Sequence, residues 1–559
     1  MKKVYTTIVI ALLSINAFAQ APNWEWAKGA GGRNEDWSIY TTTDGAGNVY
    51  TTGRFYSHTI VFGSFTLTNS GDSTHCDMFF VKYNASGNVL WAKSAGGSDY
   101  DYGTAIASDS QGHIYLLGEF ASDSISFGTV TLAHNGGANT TDIFIVKYDT
   151  NGNVMYAKKE GGTSTDYGTS IAIDNSDNIY ITGSFYGNTI NFDSSTLTNV
   201  HGGWLDMYVV KFDTNGTLLW AHSNGNLTDD AGNSITTDTS GVYVAGEFSW
   251  NNIVFGSDTL TNTSGASSTS KDLFVVKYSF SGAVIWAKGF GGIYDDLGFS
   301  IANDFMGNIY VCGTTQSNDL RFGTDTLHTF GYYDIFIVKL NPTGSPIWAK
   351  NGGGTDYDAA QSLVTNNTGV FVTGLFSSNS IALGSDTIVN TGISGNSQLF
   401  VSKYDFNGTS LWNKTTLAGY SIGYSIAVKD SNLYITGQFI GSPNYTVFGS
   451  DSLFGGGNAD TYLAKLKDSY PLAISELKNI QSSILIYPNP FTSQTTITFS
   501  EEQRNTTIKI IDLLGECIQQ LTTNNKQLTL DMTGYAKGIY FVQVTDEKKN
   551  TINKKIIIQ

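Results

Sequence analysis

Two glutamates, Glu119 and Glu247, occupy equivalent places in a repeating sequence, each following a glycine that ends an apolar run (Leu116-Leu117-Gly118 and Val244-Ala245-Gly246). Two carboxyls facing one cleft can split a glycosidic bond, one giving a proton while the other takes one. The same position in the other copies holds Arg54, Ser184, Thr314, Leu375 and Gln438. Chemistry changes there while the surroundings do not, so Arg54, Glu119 and Glu247 are the candidates for a site on a channel or an upper face. The two glutamates stand two copies apart, with no companion histidine or arginine signature, and no residue is assigned as catalytic.

Metal chemistry finds less support. The seven histidines, His58, His75, His113, His134, His201, His222 and His328, show no H-x-x-x-H spacing, and Cys76, Cys312 and Cys517 form no C-x-x-C. A zinc or iron centre is not expected, nor any cofactor. Asp149-Thr150-Asn151-Gly152-Asn153 alternates oxygen ligands like a calcium loop, and Glu160 falls at the twelfth place, but its glycine is fourth rather than sixth. It reads as a hairpin turn in which Asp and Asn bond their own backbone. Three distant cysteines cannot all pair, so no disulfide framework holds the chain.

The elements that carry these residues come from the repeat. An extended D-x-F-x-V-K segment recurs at Asp77, Asp142, Asp206, Asp272, Asp334, Gln398 and Asp460, at intervals of 65, 64, 66, 62, 64 and 62 residues. Each but the last is followed by a W-A-K-like segment, and one W-A-K, Trp26-Ala27-Lys28, stands alone at the front. The two orphans complete each other if an N-terminal strand closes the last unit. One period reads as four strands: 170–173, 178–183, 206–211 and 217–222. Seven such units give an all-β chain, a seven-bladed β-propeller with four-stranded blades. Strands apolar on both faces, such as Ile143-Phe144-Ile145-Val146, fit sheets sandwiched between neighbours.

Both tight turns of a unit fall at one end, which leaves the glycine-rich link (Gly96 to Gly103) and the longer stretch with I-x-F-G-x-x-T-L (Ile125 to Leu132) at the other. A sevenfold residue serves the blade before it serves a site, so the repeating Asp and Lys are expected to pair across strands, as Asp77 with Lys93. Trp91, Trp220, Trp286, Trp348 and Trp412 are expected between blades.

The chain opens with Lys2-Lys3, an apolar run from Val4 to about Leu13, and Ala17-Phe18-Ala19 before Gln20. This is the pattern of a secretory signal covering 1–19, too short to anchor, with cleavage set by Ala17, Ala19 and Gln20. Residues 20–469 carry 40 acidic against 20 basic groups, a surface that repels phosphate backbones, so no nucleic-acid partner is expected. After the break at Ser469-Tyr470-Pro471 a linker (470–484) leads to alternating strands over 485–559: 497–499, 508–515, 528–532, 538–544 and 554–558, a small β-sandwich.

In order and spacing this tail closely resembles the type A sorting domain of the type IX secretion system of Bacteroidota. The resemblance rests on Tyr487-Pro488-Asn489-Pro490, Asp512, Gly515, Gly538, Tyr540 and Lys554-Lys555. It implies passage through the outer membrane by way of the periplasm, with the secretion machinery and its sortase as partners, and attachment at the surface or release. Upstream, the G-N-I-Y-V-T-G and D-x-F-V-V-K-Y-D-x-x-G phrases resemble a bacterial β-propeller repeat family; the seventh unit departs, with Leu417-Ala418-Gly419-Tyr420 in place of its G-G link. Asp-Ser/Thr-aliphatic triplets at Ser124, Thr259, Thr326, Thr387 and Ser452 resemble the O-glycan acceptor of exported Bacteroidota proteins, and read equally well as a repeated hairpin sequence. The expectation is a monomeric exported protein, without a transmembrane anchor, that binds a glycan or protein ligand through its long-loop face or serves as a scaffold. The alternative is a secreted polysaccharide-active enzyme using the channel.

Overall fold

A computed structural model of the protein describes residues 21–72, 74–265, 269–392, 396–440, 445–468, 484–487, 489–499, 506–512, 517–545 and 551–558. The signal segment with Ala17, Ala19 and Gln20, the break at Ser469-Tyr470-Pro471, and Pro488 and Gly515 of the tail lie outside the described residues. The chain divides into two units, Met1–Ser469 and Tyr470–Gln559, and every regular element among the described residues is a strand.

In the larger unit the strands described form seven antiparallel sheets with a four-stranded body, two of them extended by a hairpin, and five separate two-stranded hairpins. The first sheet orders Asp36–Thr43, Val49–Phe55, Asp77–Tyr83 and Val89–Ala95; the second repeats this with Asp101–Ser108, Ile114–Phe120, Asp142–Tyr148 and Val154–Gly162. The last takes its fourth strand from the front of the chain. Trp24–Ala30 lies antiparallel to Asp460–Lys467, with Ala27 opposite Ala464 and Ala30 opposite Thr461.

Burial explains the sequence pattern. The second and third strands of the second sheet are buried at every position, because each face is covered by a neighbouring sheet. The first strands alternate buried and half-buried residues, one side packed and the other facing a central cavity. They neighbour one another in chain order, and the last, Tyr420–Lys429, lies beside the first, Asp36–Thr43. Thr41 N–H donates to Ser425 Oγ at 3.2 Å and Thr43 Oγ1 to Val428 O at 3.5 Å across that contact, and Asp36 N–H donates to Ala459 O of the same last sheet at 2.8 Å.

Three sequence expectations change. The first strands begin at the aspartate, four residues earlier than read: Asp166–Ile173, not Ser170. The I-x-F-G-x-x-T-L stretch is a hairpin rather than an open loop; Ser124–Phe127 pairs with Val130–Ala133 about Gly128, whose φ of 61° suits glycine. Its Ile125, Phe127 and Leu132 join the sheet's core, with Phe127 4.8 Å from Phe144, so the stretch folds back on the sheet. The Asp77–Lys93 pair does not form. Lys93 stands opposite Phe80 and lies over Trp91, while Asp77 accepts from Ser70 N–H at 2.8 Å. In the second sheet Asp142 lies 3.4 Å from Lys159, the residue after the W-A-K-like lysine, while Lys158 itself pairs with Glu160 and Asp193.

The lysine inside the third strand links the sheets instead. Lys82 Nζ donates to Thr150 O of the next sheet at 2.8 Å and lies 5.2 Å from the Tyr50 ring; Lys339 does the same with Phe406 O and Tyr310. Lys465 of the last sheet reaches Ala85 O of the first at 3.3 Å. The repeating tryptophans also cross between sheets: Trp286 and Trp348 are buried and donate to Pro342 O and Phe406 O at 3.2 and 3.1 Å.

The smaller unit has a three-stranded sheet, Ile484–Tyr487, Gln494–Phe499 and Gln527–Asp531, and a four-stranded one ordered Cys517–Thr523, Thr506–Ile511, Gly538–Thr545 and Thr551–Ile558. Ile497, Ile508, Ile510, Leu530, Val542 and Ile556 form its core. The strand Cys517–Thr523 escaped the sequence reading because Cys-Ile-Gln-Gln-Leu-Thr-Thr lacks a clean apolar alternation.

Candidate functional site

The seven first strands line a cavity of about 500 Å³. Its described lining is Thr, Ser, Asn, Gln, Tyr, Phe299 and aliphatic residues, with no acidic, basic or imidazole side chain. Part of the polar lining is spent on joining sheets: Thr104 Oγ1 donates to Gly168 O and Thr169 Oγ1 to Gly232 O, both at 2.5 Å, and Asn233 Nδ2 to Gly298 O at 3.0 Å.

At the end where the first strands begin, the variable positions meet the residue that follows each strand-initiating aspartate. Arg54 stands opposite Trp37, Glu119 opposite Tyr102 and Ser184 opposite Tyr167. The Arg54 guanidinium lies 4.1 Å from the Trp37 ring, 5.4 Å from Tyr102 of the next sheet and 5.9 Å from Tyr56. Its Nε is buried without a partner, and Arg54 makes no ion pair among the described residues. Glu119 is 3% exposed; its Oε1 accepts from Gly168 N–H of the third sheet at 3.1 Å and its Oε2 has no partner. Burial pushes its carboxyl up to about 8, against the opposing pull of Gly168 N–H, Tyr102 and Arg54. Three successive sheets thus present aromatic, cation, aromatic, carboxyl, aromatic.

The rest of this circle is quieter. Glu247 is bound by Lys271 at 2.5 Å and by Asn233 at 3.2 Å. Thr314 donates to Asp334 O and Asp358 O at 3.2 and 3.0 Å, Leu375 packs with Ala359 and Ile422, and Gln438 donates to Tyr420 at 2.9 Å. Neither Glu119 nor Glu247 lines the cavity, and each has its own local partner.

A second set of acids encircles the same end. At the junction of the first and second sheets, Asp101 accepts from Gly97 N–H at 2.8 Å and Ser122 Oγ at 2.6 Å, while Asp77 Oδ1 has no partner and lies where a side chain on Gly96 would stand. Burial, reinforced by the Asp77 charge, pushes Asp101 up to about 7. Asp36 beside Asp460, Asp166 beside Asp142 and Asp358 beside Asp334 repeat the arrangement, with carboxyls raised to about 6, 8 and 6. At the junction leading into the last sheet both acids are replaced together, by Gln398 and Ser421. The sequence reading singled out the third-strand aspartates but missed their first-strand neighbours and missed Trp37, Tyr102 and Tyr167; the Asp-aromatic-Ser/Gly triplets after the G-G links were the available signal.

Ser124, Thr259, Thr326, Thr387 and Ser452 are all exposed on the hairpins. In three of them the preceding aspartate also serves packing, since Asp258, Asp325 and Asp451 accept from Ala287, Ala349 and Ala27 N–H at 2.8 to 2.9 Å and so tie hairpin to outer strand. In the tail, Tyr487 is exposed, Asn489 Oδ1 accepts from Ile557 N–H at 2.9 Å, and buried Tyr540 donates to Ala536 O at 2.8 Å. Asp512 is half-buried, Gly538 opens its strand, and Lys554 and Lys555 lie opposite Val542 and Phe541.

Residues 485–559 match the secretion system C-terminal sorting domain family, and residues 160–188 and 285–321 match the β-propeller repeat family. A WD repeat-containing protein of Acanthamoeba polyphaga mimivirus is 23% identical over 537 residues, covering 79% of this chain and 38% of that protein. The regulatory protein FlaEY of Caulobacter vibrioides is 24% identical over 422 residues, covering 70% and 42%. The chain therefore spans about two fifths of the length of these curated relatives. Among solved structures, PorZ, a surface component of the type IX secretion system of Porphyromonas gingivalis, aligns over 95% of this chain and all of that one at 11% identity and a TM-score of 0.16. A protein of Dyadobacter fermentans aligns over 80% and 99% at 9% identity and a TM-score of 0.35. The sorting domain marks the protein for export to the cell surface or for secretion, and no helix among the described residues is long and apolar enough to cross a membrane.

Proposed function

We propose that residues 20–469 form a closed, seven-bladed propeller that is displayed or released by type IX secretion in a bacterium of the Bacteroidota and binds a glycan or protein ligand at the Arg54 end of its channel. The boundaries at 1–19, 470–484 and 485–559 belong to this reading, with removal of the leader after Ala19 and sortase processing of the tail. Closure is supported by the N-terminal strand in the last sheet and by the single cavity shared by all seven first strands. The observation that carries binding over catalysis is the neutral cavity wall beneath an end that bears an unpaired arginine. A hydrolase would need its acid and base at one gap, and here each glutamate is held in its own sheet.

Full-length protein on an array of glycans and surface proteins should retain its ligand intact, and the Glu119→Gln/Glu247→Gln variant should release no less and no more product than the parent. Cleavage of an array glycan that the double variant abolishes would install the enzyme reading. For export, removing 485–559 should leave the protein in the periplasm, read by fractionation; normal appearance at the surface or in the medium would refute the sorting role.

A further inference from the structure

We propose that Arg54, Trp37 and Tyr102, with Glu119 beside them, form a subsite for a carboxylate-bearing sugar ring, the uronate unit of an acidic saccharide. This rests on the binding role proposed above and names its ligand class.

The larger unit carries twice as many acids as bases, yet one of its few cations is left without a carboxylate among the described residues. Arginine cannot lose its proton, so a part-buried guanidinium held by aromatic rings but by no anion stands to gain from an incoming carboxylate. Lys271, also at this end, is already occupied by Glu247. A planar fork matches a carboxylate with two parallel hydrogen bonds. One guanidinium neutralises one charge, and the links of the larger unit carry Glu35, Asp99, Asp229, Asp295 and Asp356, which disfavour a doubly charged phosphate ester or free sulfate.

The surroundings specify the rest of the ligand. Trp37 and Tyr102 flank the guanidinium, and Tyr167 stands opposite Ser184 one sheet further on. Flat aromatic faces accept the C–H face of a pyranose, and a few placed polar groups orient it. The cavity beyond mixes neutral hydroxyls and amides with aliphatic side chains, and brings no charge that would compete with the guanidinium. Glu119 keeps one buried carboxyl oxygen without a partner. Because burial holds this group mainly protonated at neutral pH, it does not repel an incoming carboxylate.

Titration calorimetry on the full-length protein would use a galacturonic acid trimer, a galactose trimer and inorganic sulfate. The uronate trimer should bind at least tenfold more tightly than the galactose trimer, with sulfate no better than the neutral sugar. Arg54→Met, which keeps the apolar stem, should cost the uronate trimer tenfold or more and leave the galactose trimer unchanged; Arg54→Lys should fall between. Equal affinity for the two trimers, stronger binding of sulfate, or indifference to Arg54→Met in a variant that melts like the parent would overturn the assignment. Failure of both trimers, with an array ligand still bound, would reject the subsite and leave the binding role standing; an empty array would remove both.

Discussion

Taken from pH 5 to pH 8, the full-length protein should lose roughly 6 °C of melting temperature, an effect on the order of 6 kcal/mol spread over its sheet junctions. The cause is the circle of buried aspartates. Asp36, Asp296 and Asp358 are raised to about 6, Asp101 and Asp272 to about 7, and Asp166 to about 8, in each case mainly by burial. An aspartate with a raised folded pKa binds its proton more tightly in the native state than in the unfolded chain. Its contribution is fully present below the unfolded value of 3.8 and is lost as pH climbs through 6 to 8. One pKa unit is about 1.4 kcal/mol, so even a net of ~1 kcal/mol for each of these six carboxyls gives the figure above.

Below pH 4 the trend should reverse. Asp109 and Asp174 are buried too, yet donors from His113 and from Asn178 and Tyr180 hold them below the ordinary value, so they lose their contribution only in acid. The optimum therefore falls near pH 4 to 5. Gln398 and Ser421 show that one junction dispenses with both charges, which makes Asp101→Ser with Asp77→Gln a direct test: the variant should flatten the pH dependence by about one sixth. A melting temperature that is level, or that rises between pH 5 and 8, would contradict the assignment of these groups.

How much of this was legible in the sequence follows from what repeats. Third strands and tight turns were readable because their residues answer to local rules: Asp149 accepts from Asn151 and Asn153 N–H, and Gly152 has φ of 82°. The hairpin at Ile125 to Leu132 was legible only as one of two readings of its triplet, because four-residue strands carry too little period to separate from a loop. The lysine partners were misread for a different reason. Lys93 was expected to meet Asp77, but the register sets it opposite Phe80, three residues further along the strand, and no spacing within a repeat encodes that register. The Arg54 end was located as a variable position, whereas its aromatic walls came only from the register that sets Trp37 opposite Arg54.

The N-terminal strand supplies the last expected result: Trp24→Ala should cost roughly 3 to 5 kcal/mol, and Trp26→Ala clearly less. The sequence pointed to Trp26, since it belongs to the repeated W-A-K. The irregularity between Trp24 and Trp26 in the pairing with Asp460–Lys467 sends the two rings into different cores. Trp24 is 6% exposed and packs with Phe448 at 5.0 Å, among Leu453, Leu466 and Leu399. Trp26 is half-buried, against Tyr434 at 6.2 Å and the core of the first sheet. One strand thus seals both flanks of the last sheet, helped by Ala27 N–H to Asp451 at 2.9 Å and Lys465 to Glu25 at 2.9 Å. Removing residues 21–30 would leave Asp460–Lys467 as an exposed apolar edge, a template for aggregation. A synthetic peptide of residues 21–32 added to that truncated protein should restore the denaturation midpoint and suppress the aggregation. An unchanged midpoint in both Trp24→Ala and the truncation would mean that the strand's pairing contributes nothing, and the closed ring would have to be abandoned for an open array.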